Sequence, residues 1–259
     1  MKGIELGYGA GAIADYPWHL DGTRPWTEDD SYRARQCLAS LKDLGIYWID
    51  SAWRYGGGTA ERIVGEAFSA ETGKLPYLIA KVEMGTVEEM DQRLHETRER
   101  VFPLGADAIL LNDPDLSKPE ELERACRWLT KQRIPWYGIS TEPSDEARRA
   151  CDLYDLTAIE FPASTWDWRA ERIMAGWMRE RRNLLRIANR TLGGPKRPKE
   201  PGDVERAMEY ILENRDWIDV ALVGTTNVEH LKQCAEVFNR IKKEIDEQGK
   251  SGSNFDDKS

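Results

Sequence analysis

LGIYWIDSAWRYGGGTAERIVG, residues Leu44 to Gly65, is the stretch from which the fold can be read. A short apolar run, Ile46 to Ile49, ends at Asp50. Tyr55 stands five residues further on, followed by three glycines, Gly56 to Gly58. From Thr59 a new periodicity begins, with Ile63, Val64 and Ala67 at helical spacing. The order is strand, turn, helix, with a carboxylate and a phenol at the C-terminal mouth of the strand. Parallel α/β folds gather their chemistry at that mouth.

The same unit recurs on both sides. A first strand, Ile4 to Ala10, ends in the glycine-rich GYGAGA, and a long loop leads to a helix over Ser31 to Leu44 that Gly45 stops. Further strands are expected at Ile46–Ser51, Tyr77–Val82, Ala108–Asn112, Pro135–Ser140, Ala158–Pro162, Leu184–Ala188 and Val220–Gly224. Helices are expected between and after them, the last running from Val228 to about Glu247. Apolar strands alternating with amphipathic helices predict a parallel sheet covered on both faces. Eight such units predict a single (β/α)8 TIM barrel rather than an open sheet, and GYGAGA is a poor match to the GxGxxG of a doubly wound fold. A barrel needs roughly 250 residues, so residues 1–248 are assigned to one barrel domain. Residues 249–259 are assigned to a polar tail, expected to be disordered.

The chain has 259 residues, 40% of them hydrophobic, and a net charge of −9. An acidic surface argues against nucleic acid or an anionic membrane as partner. No apolar run approaches the roughly 20 residues of a membrane span, and the N-terminus lacks a signal-peptide pattern. The four cysteines, Cys37, Cys126, Cys151 and Cys234, form no CxxC, which suits reduced thiols and a cytoplasmic location. Three histidines are too few and too dispersed for a His-based metal site, so no metal is expected.

The order Asp-x-Ala-x-x-Tyr-Gly, with Glu61 and Gly65 beyond it, resembles the signature of the aldo-keto reductases. The resemblance extends over nearly the full length. It implies a catalytic tetrad of Asp50, Tyr55, Lys81 (in LIAKV) and the residue at position 112. There, in AILLNDPD, the family usually has His and this chain has Asn112. Tyr55 would be general acid or base, Lys81 the cation that favours its ionisation, and Asp50 the partner that aims Lys81. A free phenol titrates near pH 10, so such a cation matters. Asn112 can donate to a substrate oxygen but cannot titrate. Channel-associated β subunits of the family also carry Asn here. Asn112 therefore leaves open a slow or specialised reductase, or a cofactor-binding regulatory or scaffold protein with weak catalysis. A non-redox lyase or isomerase reusing the Tyr/Lys pair is a third reading.

The resemblance also implies a nicotinamide cofactor, NADP(H) by family default, with NAD(H) a credible alternative. Ser140 and Thr141 in IPWYGIST would contact the nicotinamide carboxamide, as would Glu160 where the family often has Gln. Leu192 and Gly193 in RTLGGP would line the pyrophosphate side. Gly224, Thr225 and Thr226 in VALVGTTNVEHLKQC would hold the adenosine-side phosphate at the N-terminus of the last helix. His230 stands where many members place an Arg for the 2′-phosphate, and Cys234 where they place the adenine-binding Asn, which weakens any preference for NADPH.

Ten tryptophans are many for this length. Trp18, Trp26, Trp53, Trp166 and Trp168 fall at the mouth, where Trp18, Trp53 and Trp166 are placed in the substrate pocket; that some of these mouth tryptophans plug the barrel instead is an equal reading. The expected activity is reversible, nicotinamide-dependent reduction of a small-molecule aldehyde or ketone. Substrate identity, direction and oligomeric state are left open.

Overall fold

The computed structural model describes residues 3–13, 26–194 and 200–252. Strands and helices alternate through them: β1 (Glu5–Gly9), α1 (Glu28–Ser40), β2 (Trp48–Ala52), α2 (Thr59–Phe68), β3 (Tyr77–Val82), α3 (Val87–Val101), β4 (Ala108–Asn112), α4 (Pro119–Lys131), β5 (Trp136–Ser140), α5 (Asp145–Leu153), β6 (Ala158–Pro162), α6 (Arg169–Arg179), β7 (Leu185–Asn189), α7 (Asp203–Glu213), β8 (Val220–Val223) and α8 (Val228–Gly252). Each strand pairs in parallel with the next, and β8 pairs with β1, closing a (β/α)8 TIM barrel.

The period of two along each strand sorts side chains between two cores. Ile49, Leu78, Ile109, Ile139, Ile159 and Ala188 join the large apolar layer beneath the helices. Trp48, Ile79, Leu110, Ala158, Ile187 and Leu222 form a separate cluster inside the barrel. Counting on by two from the inner set reaches Asp50, Lys81, Asn112, Glu160, Asn189 and Gly224. Ser140 pairs in register with Asn112 and Glu160, so it joins the same upper layer. Alternation alone thus delivers a polar ring to the C-terminal mouth.

The other end of the barrel is closed by aromatics. Trp48, Tyr77 and Trp136 open β2, β3 and β5. Their rings pack with centroids 4.8 Å (Trp48–Tyr77) and 5.4 Å (Trp48–Trp136) apart. The Trp48 indole N–H donates to Glu5 on β1 at 2.5 Å. Two tryptophans are therefore structural plugs of a barrel base.

The turn Tyr55–Gly58 explains the triple glycine. Gly56, Gly57 and Gly58 have φ of 56°, 59° and 88°, a left-handed run that residues with a Cβ resist. Behind it, Glu61 of α2 is fully buried. It accepts from Thr97 at 2.8 Å and from Arg100 at 3.1 Å, clamping α2 to α3.

At the C-terminus α8 continues to Gly252, beyond the expected end near Glu247. Residues 249–252, which their polar composition assigns to a disordered tail, are helical. The preceding run is rich in helix formers and carries an i,i+4 pair, Lys243–Glu247 at 3.8 Å. Positions 253–259 lie outside the described residues. Among the described residues no helix is long and apolar enough to cross a membrane.

Candidate active site

A cavity of about 970 Å³ opens at the C-terminal mouth of the barrel. At its floor Lys81 Nζ donates to Asp50 Oδ2 at 2.7 Å and to Glu160 Oε1 at 2.9 Å. All three residues are buried, at 1%, 3% and 0% exposure. Sequence reasoning placed Lys81 with Asp50 but gave Glu160 a different partner. The structure puts Glu160 on Lys81 and on Asn189, whose side-chain N–H donates to Glu160 Oε1 at 2.7 Å.

One ammonium therefore serves two carboxylates in a dry site. Burial works against the Lys81 charge, but Asp50 and Glu160 outweigh it and hold its pKa well above the ordinary lysine value. The Asp50 carboxyl is held well above the usual range, by burial first and by the Glu160 charge next. Two carboxylates this close do not both ionise freely.

Tyr55 reaches the same floor from the turn after β2. Lys81 Nζ lies 5.3 Å from the centre of its ring. Gly11 abuts the other side: a Cβ there would lie 3.2 Å from Tyr55 Cε2. The phenol is pushed up to about 12. Burial is the largest cause; Lys81 opposes it by charge and hydrogen bonding, while Asp50 and Glu160 add to it. Lys81 thus draws the phenol down as expected, but burial, with the two carboxylates behind it, outweighs that pull.

Asn112 lines the cavity beside this group. Its side-chain N–H donates to Glu83 Oε1 at 3.2 Å, so one of its two donors is turned from the floor. Arg54, beside Tyr55, approaches the same Glu83 oxygen at 3.6 Å.

Ser140, Thr141, Leu192, Gly224, Thr225, Thr226, His230 and Cys234 all line the cavity. Gly193 sits in the same turn, where its N–H donates to the Arg190 carbonyl at 2.8 Å, but does not form the wall. A Cβ on Gly224 would come within 3.2 Å of the Gly9 carbonyl oxygen, so glycine fits that corner. The loop is pinned from behind: Tyr8 donates to the Thr225 carbonyl at 2.6 Å, and Thr191 to the Leu222 carbonyl at 2.6 Å. Asn227 Oδ1 caps α8, accepting from the Glu229 N–H at 2.9 Å. His230 is exposed, whereas Cys234 is buried, and burial pushes its thiol up to about 11. It is an apolar wall, not a reactive thiol.

The tryptophans expected at the substrate are placed differently. Trp53 turns away from the cavity towards α3: its indole N–H donates to Glu96 at 2.7 Å, and Arg93 and Arg100 lie over its ring at 5.5 and 5.9 Å. Trp166 packs against the outer core rather than the cavity. Trp18 lies outside the described residues. Trp26 is the tryptophan that lines the wall among the described residues.

Asn189, Arg54 and Arg190 escaped the sequence reading. Asn189 was one step away, because the strand was ended at Ala188 and the inward parity continues to the next residue. Arg190 and Asp113, each directly after an inward-facing asparagine, adopt left-handed backbone (φ 51° for both) and both line the cavity. Backbone strain of this kind collects at functional sites. No cluster of His, Cys, Asp and Glu able to hold a metal occurs among the described residues.

The fold and the site together define a (β/α)8 barrel with a buried, ion-paired cluster at the mouth of its strands. The sequence matches the model of the Aldo/keto reductase family over residues 5–209. The chain belongs to that family, a family of oxidoreductases. No curated protein matches it. Solved structures with the same fold include an aldo-keto reductase from Bacillus halodurans in holo form, with 17% identity, 90% of this chain and 86% of that chain covered, and a TM-score of 0.70. An aldo/keto reductase from Klebsiella pneumoniae, in complex with NADP and acetate, has 18% identity, coverage of 90% and 85%, and a TM-score of 0.69. A glycerol dehydrogenase from Gluconobacter oxydans has 18% identity, coverage of 93% and 90%, and a TM-score of 0.71.

Proposed function

We propose that the protein interconverts a small-molecule carbonyl and its alcohol by hydride transfer with NAD(P)(H), Tyr55 acting as general acid and base. The carrying observation is that Asp50 and Tyr55, from β2 and the turn after it, meet Lys81 of β3 at the floor of one deep cavity. The cavity also fits the cofactor chemically. Glu160 Oε2, Asp50 Oδ1 and Asn189 Oδ1 are buried acceptors that no protein N–H or hydroxyl reaches. A nicotinamide carboxamide brings an NH2 with two donors to such acceptors, and the Ser140 hydroxyl can donate to its oxygen. The pinned loop at Gly224, Thr225 and Thr226 suits the phosphate end. A bound nicotinamide dinucleotide supplies or accepts the hydride.

The remaining work falls to the chain. Tyr55 Oη gives its proton to the substrate oxygen as negative charge develops there, and takes it back in the oxidative direction. Lys81 sits behind the phenol and steadies the phenolate left by that transfer, while Asp50 fixes the ammonium. Asn112 offers its second N–H to the substrate oxygen, a neutral donor in place of an ionisable one. Gly11, against the Tyr55 ring, holds the phenol in position.

A single-turnover assay tests this reading. Protein loaded with NADPH or NADH is mixed with a reactive aldehyde and the nicotinamide absorbance followed. Cofactor oxidation is expected, falling on the order of 10²–10⁴-fold in Tyr55→Phe while cofactor binding, read from tryptophan quenching, persists. Failure of all four nicotinamide forms to bind removes the proposal.

A further inference from the structure

The charge at the cavity floor balances only while its carboxyl pair keeps a proton. Lys81 supplies one positive charge, and Asp50 and Glu160 can supply two negative ones. Glu160 is fully buried, lines the cavity, and carries an oxygen, Oε2, that no protein N–H or hydroxyl reaches; Asp50 Oδ1 is in the same condition, and the two carboxyls can share one proton. The groups facing Glu160 are Lys81 from β3, Asp50 from β2, Asn189 from β7 and Tyr55 from the turn after β2. Among them Lys81 is the one cation.

We infer that Glu160 makes this floor selective for the oxidised, cationic state of a nicotinamide over the reduced, neutral one. The inference rests on the proposed cofactor and adds a charge preference to it. A ring able to exchange hydride with a carbon whose oxygen touches Tyr55 must lie at this floor, beside Glu160. Its positive charge takes the place of the proton that the carboxyl pair otherwise keeps. In its reduced state the ring is neutral, and the floor must keep an extra proton on its carboxyl pair instead. A unit charge a few ångströms away in so dry a site favours a cation over its neutral counterpart by on the order of ten- to a hundredfold. A neutral glutamine at position 160 would leave Lys81 and Asp50 matched and remove the preference.

The test is a binding comparison on the intact protein, without turnover. Dissociation constants for NADP+ and NADPH, and for NAD+ and NADH, are measured by tryptophan quenching on wild type and Glu160→Gln. Wild type is expected to bind the oxidised form at least tenfold tighter than the reduced one, and Glu160→Gln to lower that ratio at least tenfold. A ratio near one in wild type, or one that Glu160→Gln leaves unchanged, overturns the inference while the proposed function stands. Failure of every form to bind wild type overturns the proposed function itself. Should Glu160→Gln not fold, calorimetry on wild type in two buffers of different ionisation enthalpy decides. The oxidised form must release more protons on binding than the reduced form, and equal release overturns the inference.

Discussion

Lys81 on β3 and Glu160 on β6 reach across the barrel axis to a 2.9 Å hydrogen bond, and both ends of it bear on Tyr55. Burial first, and then Asp50 and Glu160 against the pull of Lys81, push the phenol up to about 12. Reduction needs the phenol protonated, so its rate falls only as pH rises through the Tyr55 pKa. In wild type the rate of carbonyl reduction is therefore expected to be flat from pH 7 to 10. Glu160→Gln removes a negative neighbour and frees Lys81 to act on the phenol, so the falling limb moves to lower pH. A single-turnover pH profile that declines below pH 10 in wild type, or is identical in the variant, contradicts this account.

The same ammonium holds the floor together. Lys81→Met leaves Asp50 and Glu160 facing each other in a buried site. Breaking a buried ion pair by removing one partner costs about 3–5 kcal/mol. The sign with pH follows from linkage. In the variant the folded carboxyl pKa values lie above the unfolded ones, so the folded state binds more protons and stability falls as pH rises above about 4. The wild-type Lys81 contribution is fully present below the unfolded lysine pKa, so it does not change between pH 5 and 8. Urea denaturation should thus show the variant losing far more stability than wild type on going from pH 5 to pH 8.

Asn112 stands where the resemblance to the family implies a histidine. Asn112→His restores an ionisable donor at the substrate oxygen and should raise the rate of aldehyde reduction by about tenfold, within the range that one oxyanion donor commands. Glu83, which Asn112 contacts at 3.2 Å, would then face the imidazole and help keep it charged. The variant's rate should acquire a decline above about pH 6.5 as the imidazole loses its proton, a feature wild type lacks. A rate unchanged or lowered at pH 6 would show that Asn112 serves Glu83 rather than the substrate.

The barrel and most of its floor were legible in the sequence because both rest on short-range periodicities. Eight apolar runs separated by helical patterns leave little choice of fold. The spacing from Ile49 through Asp50 to Tyr55 and the triple glycine fixes one end of a strand and a left-handed turn. What could not be read was partnership across the barrel. Glu160 is 79 residues from Lys81, and nothing local says that its carboxylate joins an ion pair. Asn189 was missed by one residue at a strand end, where boundaries are least certain. Trp53 was misplaced because its neighbours in sequence belong to the site. The direction of its side chain is set instead by Glu96 on α3, 43 positions away.

That last correction can be checked independently of any chemistry. If Trp53 formed the substrate wall, replacing it would alter KM first. In this structure it donates to Glu96, under two guanidinium groups, in the clamp that holds α2 and the Tyr55 turn against α3. Trp53→Phe keeps a ring in place but leaves Glu96 without that donor, which should cost about 1–2 kcal/mol of stability. KM for an aldehyde should stay within about twofold, since the side chain does not face the cavity, whereas kcat can fall modestly if the Tyr55 turn loosens. Thermal denaturation and steady-state kinetics on the same preparation separate the two roles. A large rise in KM with no change in Tm would return Trp53 to the substrate pocket.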